Sequence, residues 1–435
     1  MNPYSLPSIL RWRYQKAALM KIVDALWVNC RGGFFNIDLK AVREGAPEQL
    51  GASTGQPKTE GFKSVSQPGA ALSIVLRLED GSVAFGDCMD VIFSGAAGRD
   101  RLFIADEHRS VLDSAVRPLL LGTEDVADFR HNAETIDRWA EADGRRLHTA
   151  LRYGLTQALL HAASLSTRQP MAQIIAQDYG TVIAGEPSPI LASCARNDWM
   201  LLDRMIGKKA DLLPHSDFPN IALLGEGGRD FKAYAERVAR RITEIGAKGY
   251  KPKIHLDVYG SIGRLFDTDI KRIVGFLKDV RQAVQPYDLL IESPLVLDSK
   301  QAQIAAFKEL RQEIMRNGAD VGIIADEWCN TLEDIQEFID AGSTDYVQIK
   351  MPDLGGINNS IEAVVYAKRS GVGACLGGSG NETDQSARIT AHIALATRPD
   401  FLLSKPGFGG DEALMILGNE MARTTQIIRY FGRSA

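Results

Sequence analysis

The chain has 435 residues, of which 45% are hydrophobic and 24% are charged, an ordinary composition for a globular protein. The formal net charge of −5 gives no reason to expect a nucleic acid or an anionic membrane as a partner. No apolar run reaches the roughly 18 to 20 residues that a membrane-spanning helix needs. The five cysteines lack the close spacing of a zinc or redox motif, so a reduced, cytoplasmic protein is the simplest interpretation.

The first part of the chain divides into a short extension and a mixed domain. Residues 1–19 contain basic residues but no long apolar core, so they make a poor secretory signal and are treated as an N-terminal extension. Residues 20–187 mix strand and helix patterns, which predicts an α+β capping domain. Within it, residues 43–61 are rich in glycine, proline and serine and are expected to form a long mobile loop.

Two elements of this domain are predicted by clear patterns. The stretch "LSIVLRLEDGSVAFGDC", residues 72–88, predicts a hairpin that turns at Asp80-Gly81 between two apolar runs. The stretch "LHTALRYGLTQALLHAASL", residues 147–165, has apolar residues at helical spacing and predicts a long helix.

From residue 188 to residue 405, short apolar runs alternate with amphipathic helical stretches. The runs are "PILASC", "ADLLPH", "KPKIHLD", "DLLIES", "VGIIAD", "YVQIK", "GVGACLGG" and "FLLSKPG". Strand–helix alternation predicts a parallel sheet, and eight repeats is the number that closes a (β/α)8 barrel of the TIM type. An open doubly wound sheet is the alternative, but no glycine-rich dinucleotide motif follows an early strand. Residues 406–435 are expected to pack on the cap.

Charged residues end four consecutive runs of this repeat. "KIHLD" ends on Asp257, "LLIE" on Glu292 and "GIIAD" on Asp326, and the next run, "YVQIK", ends on Lys350. The spacings are 35, 34 and 24 residues, each about one strand plus one helix. The carboxyl ends of barrel strands open onto the active-site face. Three carboxylates and one ammonium group are therefore predicted to meet at this end of the barrel, called the barrel mouth below.

Three carboxylates in one place repel each other, so the array needs a cation. A single acid at a strand end is often only a helix cap or an ion-pair partner, but three at matching positions favour a metal site. Oxygen ligands without His or Cys favour Mg²⁺ or Mn²⁺ over zinc.

Lys350 is then predicted to be a base. Partial desolvation beside a divalent cation is expected to lower the pKa of its amine. A neutral amine could take the proton α to a metal-bound carboxylate, with the metal stabilising the enolate. Gln348, two residues earlier on the same strand face, is expected to bind the substrate carboxylate; a polar residue that merely fills the barrel is the alternative.

Long motifs resemble those of methylaspartate ammonia-lyase, a member of the enolase superfamily. They are "RLHTALRYGLTQA", "KIHLDVYGSIG", "IESP", "ADEWCNTLED", "VQIKMPDLGGINN", "GGSGNETDQSA" and "SKPGFGGDEALMI", and the similarity runs from about Met20 to near the C-terminus. The resemblance implies an enolase-like α+β cap on a modified barrel and a homodimer. It also implies amino-acid degradation by reversible loss of ammonia from threo-3-methylaspartate, a small amino diacid, to give mesaconate.

The resemblance also implies roles for single residues. Residues that match the family's Mg²⁺ ligands are Asp257, Glu292 and Asp326. Lys350 matches the base that takes the C3 proton of the (2S,3S) substrate, and Gln348 matches a glutamine that holds the metal-bound carboxylate. His215, in "ADLLPHSDF", matches a histidine on the opposite face that binds substrate and serves the other stereochemistry. His255 is interpreted as barrel filling, and K⁺ is a further candidate activator.

Three positions depart from the family pattern. The family has glutamine at Ser193, threonine at Ser379 and cysteine at Gly380, around the substrate's other carboxylate. The loss of one such hydrogen bond should cost about 0.5 to 3 kcal/mol, which changes affinity or substrate rather than the class of reaction.

Three other functions stay open at this point. The same enolate chemistry could serve a dehydratase or an epimerase of another carboxylate. Lys350 could form a Schiff base, as in barrel aldolases. A non-enzymatic relic that binds a metal and a diacid is opposed by the presence of all four charged residues.

Overall fold

The computed structural model describes residues 19–49, 52–407 and 409–431, with side chains at 34–36 and 49 left out. Apart from its last residue, the predicted N-terminal extension lies outside these ranges. Among the helices described, none combines the length and the apolar character that a membrane span requires.

The capping domain contains two antiparallel sheets within the described chain. Strands β1 to β5 are Ile22–Ile37, Glu48–Gln49, Ala52–Ser53, Ser66–Leu78 and Val83–Cys88. The main sheet has the order β1-β4-β5, and β2 pairs with β3. The predicted hairpin is confirmed, since β4 and β5 pair antiparallel around Asp80-Gly81.

The segment predicted as a long mobile loop, residues 43–61, instead contains the β2–β3 hairpin. One reason is Asp38, whose buried carboxylate accepts hydrogen bonds from the backbone nitrogens of Lys58 at 2.6 Å and Thr59 at 2.8 Å. These bonds fix the far end of the segment against the start of the first helix.

The helices of the cap follow the sheet. Helices α1 to α6 are Leu39–Arg43, Arg109–Val111, Arg117–Leu121, Phe129–Arg138, Thr149–Thr167 and Met171–Tyr179. The long predicted helix is confirmed as α5, which packs against β5 and is buried over most of its surface. It begins after His148, whose Nδ1 accepts a hydrogen bond from the backbone nitrogen of Ala150 at 3.0 Å.

The rest of the described chain forms a closed barrel of eight parallel strands in the order β10-β11-β12-β13-β6-β7-β8-β9. Strands β6 to β13 are Ile190–Leu191, Leu212–Asp217, Lys253–Asp257, Leu289–Glu292, Val321–Ala325, Tyr346–Lys350, Gly373–Gly377 and Phe401–Leu403. All eight predicted runs supply a strand. The predicted fold class, a TIM-type barrel with an α+β cap, is confirmed.

Helices α7 to α16 surround the barrel or follow it. They are Trp199–Gly207, Arg229–Ile245, Ser261–Leu265, Ile270–Ala283, Lys300–Asn317, Leu332–Asp340, Met351–Leu354, Ile357–Arg369, Asp384–Thr397 and Gly410–Phe431. Helix α8 shows why they pack, since Phe231, Ala235, Val238 and Ile242 recur every three or four residues and are buried on the barrel. Inside the barrel, a layer of apolar side chains closes the end away from the mouth: Leu191, Leu212, Leu290, Ile324, Cys375, Phe401 and Leu403.

The C-terminal segment, predicted to pack on the cap, has contacts with both domains. Helix α16 lies mainly against α15 and α7, which are helices of the barrel domain. Buried Ala413, Leu417 and Met421 form the apolar stripe of α16 that makes this contact possible. Its last turn reaches the end of the cap, where Arg429 pairs with Glu186 at 2.7 Å. Before the helix, a Cβ atom at Gly407 would lie 3.1 Å from the carbonyl oxygen of Gly33 on β1.

The contact between α5 and β5 depends on a glycine. A Cβ atom at Gly154 would lie 2.3 Å from Cys88 Sγ and 2.5 Å from Cys88 N. We expect Gly154→Ala to destabilise the protein by about 1 to 3 kcal/mol, because the helix must move off the sheet. The free energy of unfolding in urea measures this change.

The matched control is Gly418→Ala in the middle of α16, where an added Cβ meets nothing within 4 Å. This substitution should stabilise the protein by about 0.5 to 1 kcal/mol through helix propensity alone. Equal effects at the two positions would show that the helix–sheet contact is not close.

Candidate active site

The three predicted acidic residues meet at the carboxyl ends of neighbouring strands. Asp257 ends β8 and pairs in register with Glu292, which ends β9, and Asp326 directly follows β10. Each offers a carboxylate oxygen, and these atoms all lie within 4.8 Å of one another. All three side chains are buried, with at most 2% of each residue exposed.

This burial makes the negative charges costly. Burial first, and then Glu292 and its acidic neighbours, raise the pKa of Asp257 well above its usual value. Burial and Asp326 raise the pKa of Glu292, against the opposing effects of His215 and Lys350. Three converging carboxylate oxygens without a sulfur ligand are the donor set of a hard divalent cation, so the residues present fit Mg²⁺.

Lys350 lies beside this cluster at the end of β11. Its Nζ is 2.6 Å from Asp326 Oδ2 in a buried ion pair. Burial and Arg99 favour the neutral amine, but Asp326, Glu327 and Glu292 outweigh them and raise its pKa above the usual value. The lowered pKa was predicted for an amine beside a divalent cation, so it stays a prediction; the protein groups without a cation raise this pKa, because the surrounding carboxylates outweigh burial.

Arg99, a cap residue that the sequence did not single out, also reaches the cluster. Its buried guanidinium places Nη2 3.5 Å from Asp326 Oδ1 and Nε 2.9 Å from Asp353 Oδ2. The cap turn that carries it is held by Asn330, whose side-chain amide donates to the carbonyl of Ala97 at 2.6 Å. No local pattern links Arg99 to the barrel, since the contact depends on domain docking.

A fourth carboxylate, Glu327, lies fully buried next to Asp326. One of its oxygens accepts a hydrogen bond from the hydroxyl of Ser293. Burial and Asp326 raise its pKa, while Arg99 and Lys350 oppose the shift. The sequence feature that could have identified Glu327 as a site residue is its position directly after Asp326 in "ADEWC".

Gln348 is aimed at the metal cluster rather than simply filling the barrel. Its Nε2 donates to the two oxygens of Glu292 at 3.2 and 3.4 Å, which fixes that carboxylate. Its Oε1 is buried without a hydrogen-bond partner among the described residues. A Cβ atom at Gly377 would lie 1.9 Å from this oxygen, so glycine there makes room for the amide.

His215 faces the cluster from strand β7, four strands away from the Lys350 strand around the barrel. Its Nδ1 is 4.0 Å from Glu292 Oε2 and 3.2 Å from Nδ1 of His255. Burial lowers the pKa of His215 to about 4 and that of His255 to about 3, so both rings are neutral near pH 7. His255 does more than fill the barrel, because its Nε2 lies 3.0 Å from Glu292 Oε2.

The three residues that depart from the family pattern lie away from the carboxylates. Ser193 follows β6, and its backbone nitrogen donates to Ser404 Oγ at 2.9 Å. Ser379 and Gly380 follow β12, where the hydroxyl of Ser379 accepts from the backbone nitrogen of Asn381 at 3.0 Å. The contacts described for these three residues do not join them to Asp257, Glu292 or Asp326.

Two family models match almost the whole chain. The model of the methylaspartate ammonia-lyase N-terminus matches residues 20–180, and the model of its C-terminus matches residues 182–430. The chain belongs to the methylaspartate ammonia-lyase family. It is therefore a carbon–nitrogen lyase of the enolase superfamily.

Curated relatives and solved structures agree with this assignment. Methylaspartate ammonia-lyase 2 of Carboxydothermus hydrogenoformans is 45% identical over 95% of this chain and 100% of its own length. The structure of the Citrobacter amalonaticus enzyme containing (2S,3S)-3-methylaspartic acid is 40% identical, with a TM-score of 0.89 over 94% of this chain and 100% of that chain. The Mg complex of β-methylaspartase from Clostridium tetanomorphum is 39% identical, with a TM-score of 0.85 over 95% of this chain and 100% of that chain.

The raised pKa values predict how Mg²⁺ should stabilise the protein. A carboxyl group whose pKa is raised on folding stabilises the fold below its unfolded pKa, and that stability is lost as the pH rises through the folded pKa. A cation that neutralises Asp257 and Glu292 should therefore raise the melting temperature more at pH 8 than at pH 5. At a Mg²⁺ concentration of about 100 times Kd, the stabilisation should be about 2.7 kcal/mol.

Differential scanning calorimetry at the two pH values, with and without Mg²⁺, measures this difference. Asp257→Asn is the control, since it removes one charge of the cluster and should reduce the gain at pH 8. A gain that is equal at both pH values would contradict the electrostatic account of the cluster.

Proposed function

We propose that the protein removes ammonia reversibly from threo-3-methylaspartate, or from a close β-substituted aspartate, to give mesaconate. The observation that carries this proposal is the meeting of Lys350 with three buried carboxylates at one barrel mouth. The family membership supports the reaction class, and the (2S,3S)-3-methylaspartic acid bound by the Citrobacter amalonaticus relative supports the substrate.

In this proposal Asp257, Glu292 and Asp326 hold Mg²⁺. A bound Mg²⁺ would neutralise these carboxylates and stabilise the negative charge that develops on the substrate carboxylate. Neutralisation of the carboxylates that raise the pKa of Lys350 would leave its Nζ as a free amine. This amine takes the C3 proton, and the C2–N bond then breaks with its electron pair leaving on nitrogen. Burial of Lys350 and the carboxylates excludes water, which strengthens the charge interactions around the reacting carbon.

The other site residues are proposed to orient the substrate. Gln348 is placed to hold the carboxylate at the metal end, since its amide already contacts Glu292. His215 contacts the substrate from the opposite wall and serves the other C3 configuration. Ser193, Ser379 and Gly380 surround the second carboxylate.

We also propose alternative cations, an oligomeric state and a cellular location. Mn²⁺ could replace Mg²⁺, because the same oxygen donors suit both ions, and K⁺ is a candidate activator. A homodimer follows from the family resemblance. The cytoplasmic location is supported by the five cysteines, all of which are free.

Lys350→Met tests the role of the base. We expect ammonia release from 3-methylaspartate to fall by about 10²- to 10⁴-fold, the usual contribution of a positioned proton acceptor. Mg²⁺ binding measured by titration calorimetry should remain. Lys308→Met, at an exposed position on α11, is the matched control and should retain full activity.

Chelation by EDTA should abolish ammonia release, and added Mg²⁺ should restore it. Exchange of solvent deuterium into the carbon next to a carboxylate, without ammonia release from any β-substituted aspartate, would contradict the lyase proposal. That result would favour an epimerase or a dehydratase with the same proton-abstracting residue.

A further inference from the structure

Lys405 is a buried charged residue that the proposed reaction does not use. It lies two residues after the end of β13 and is fully buried. Its Nζ donates to Glu382 Oε1 at 3.2 Å, to the carbonyl oxygen of Gly377 at 3.1 Å and to the sulfur of Met351 at 3.6 Å. Each N–H bond of the ammonium group therefore has an acceptor, which fixes the direction of the side chain.

Two of these contacts connect Lys405 with the strand that carries the proposed base. Gly377 ends β12 and pairs in register with Lys350, which ends β11. Met351 directly follows Lys350 in the chain, and its sulfur also accepts a hydrogen bond from the hydroxyl of Thr390 at 3.3 Å. A shift of Lys405 would therefore change the packing around the backbone that carries Lys350.

The third contact connects Lys405 with residues 378–382, which include Ser379 of the proposed substrate site. Glu382 is fully buried, and its backbone nitrogen donates to the carbonyl oxygen of Ser379 at 3.3 Å, which closes a turn. A Cβ atom at Gly378 would lie 2.7 Å from Lys405 Nζ and 2.5 Å from Glu382 Oε1. The ion pair therefore packs directly against the chain that leads into this turn.

The cap contacts the same carboxylate. The hydroxyl of Tyr153 on α5 donates to the two carboxylate oxygens of Glu382, at distances of 3.2 and 3.1 Å. The hydroxyl of Ser386 on α15 donates to Glu382 Oε2 at 2.5 Å. The turn at residues 378–382 is therefore fixed to the barrel through Lys405 and to the cap through Tyr153.

A buried ion pair of this kind contributes little to stability by itself. The cost of taking both charges out of water is close to the attraction that they regain, so apolar replacements of such a pair are often neutral. The contacts of Lys405 instead join two parts of the site, the end of the base strand and the turn that contains Ser379. This placement indicates a role in the geometry of the site.

We propose that Lys405 is a positioning residue for the lyase reaction, which fixes Lys350 relative to the turn that holds the second carboxylate of the substrate. The inference rests on the proposed function, in which Lys350 acts at C3 and the second carboxylate is attached to C2. Because C2 and C3 are bonded, a shift of the turn relative to Lys350 moves the C3 proton out of line with Nζ. A misplacement of about 1 Å can lower a rate by about 10²-fold.

The double variant Lys405→Met/Glu382→Gln tests the proposal. Lys405→Met alone leaves the Glu382 carboxylate buried without its ion-pair partner, so the melting temperature and kcat for 3-methylaspartate should both fall. The double variant removes both charges, so its melting temperature should return toward that of the wild type, while kcat should stay at least about tenfold lower. KM should change less than kcat, and Mg²⁺ binding measured by titration calorimetry should be unchanged, because the metal end of the site is intact.

Tyr153→Phe is a second variant that keeps the ion pair and removes only the hydroxyl that the cap donates to Glu382. It should lower kcat at least about threefold. Its matched control is Tyr179→Phe, since the hydroxyl of Tyr179 has no hydrogen-bond partner among the described residues and its loss should leave kcat unchanged. Lys308→Met, at an exposed position, is the control for Lys405→Met.

A double variant whose kcat recovers together with its melting temperature overturns the positioning role, because the network would then only support the fold. If the double variant does not fold, an unchanged kcat of Tyr153→Phe overturns the role instead. Either result leaves the lyase function intact. No turnover of 3-methylaspartate or of any β-substituted aspartate by the wild type overturns the proposed function itself.

Discussion

Repulsion among three buried carboxylates is the constraint on which the site depends. The strands that carry Asp257, Glu292 and Asp326 are joined by backbone hydrogen bonds and enclosed by helices, so these side chains cannot move apart into water. Removing even paired charges from water is expensive, and a cluster of like charges is stable only with positive charge beside it. Lys350 and Arg99 supply part of that charge, and a divalent cation would supply the rest.

The cap completes the site that the barrel begins. Arg99 brings a cap guanidinium to Asp326, and Ile92 and Phe93 of the cap line one cavity together with His215 of the barrel. A buried network also joins the domains, since Lys405 Nζ lies 3.2 Å from Glu382 Oε1 and the hydroxyl of Tyr153 on α5 donates to the same carboxylate. The carboxylate cluster is therefore carried by barrel strands, and the cap contributes positive charge and part of the surrounding wall.

Much of this arrangement could be predicted from the sequence because it follows strong local patterns. Each of Asp257, Glu292 and Lys350 ends an apolar run and Asp326 directly follows one, and the regular spacing of these runs already indicates a common barrel face. Arg99 could not be predicted, because its contact with Asp326 depends on how two distant segments dock. His255 was interpreted as barrel filling, since periodicity places a side chain inside the barrel without showing that it reaches Glu292.

Two further properties could not be read from the sequence, for similar reasons. The pKa of Lys350 depends on the sum of all nearby charges, which a motif does not contain, and without a cation the facing carboxylates outweigh burial and Arg99. The packing of α16 depends on which groove its apolar stripe fits best, and the grooves of α7 and α15 are formed only in the folded barrel.

The most direct test of the central claim is anomalous X-ray scattering from crystals soaked in Mn²⁺, which prefers the same oxygen ligands. The account predicts one strong peak in the barrel mouth, with oxygens of Asp257, Glu292 and Asp326 at coordination distance and Lys350 Nζ facing the same space. A peak elsewhere, or none in the mouth at a saturating concentration, would contradict it.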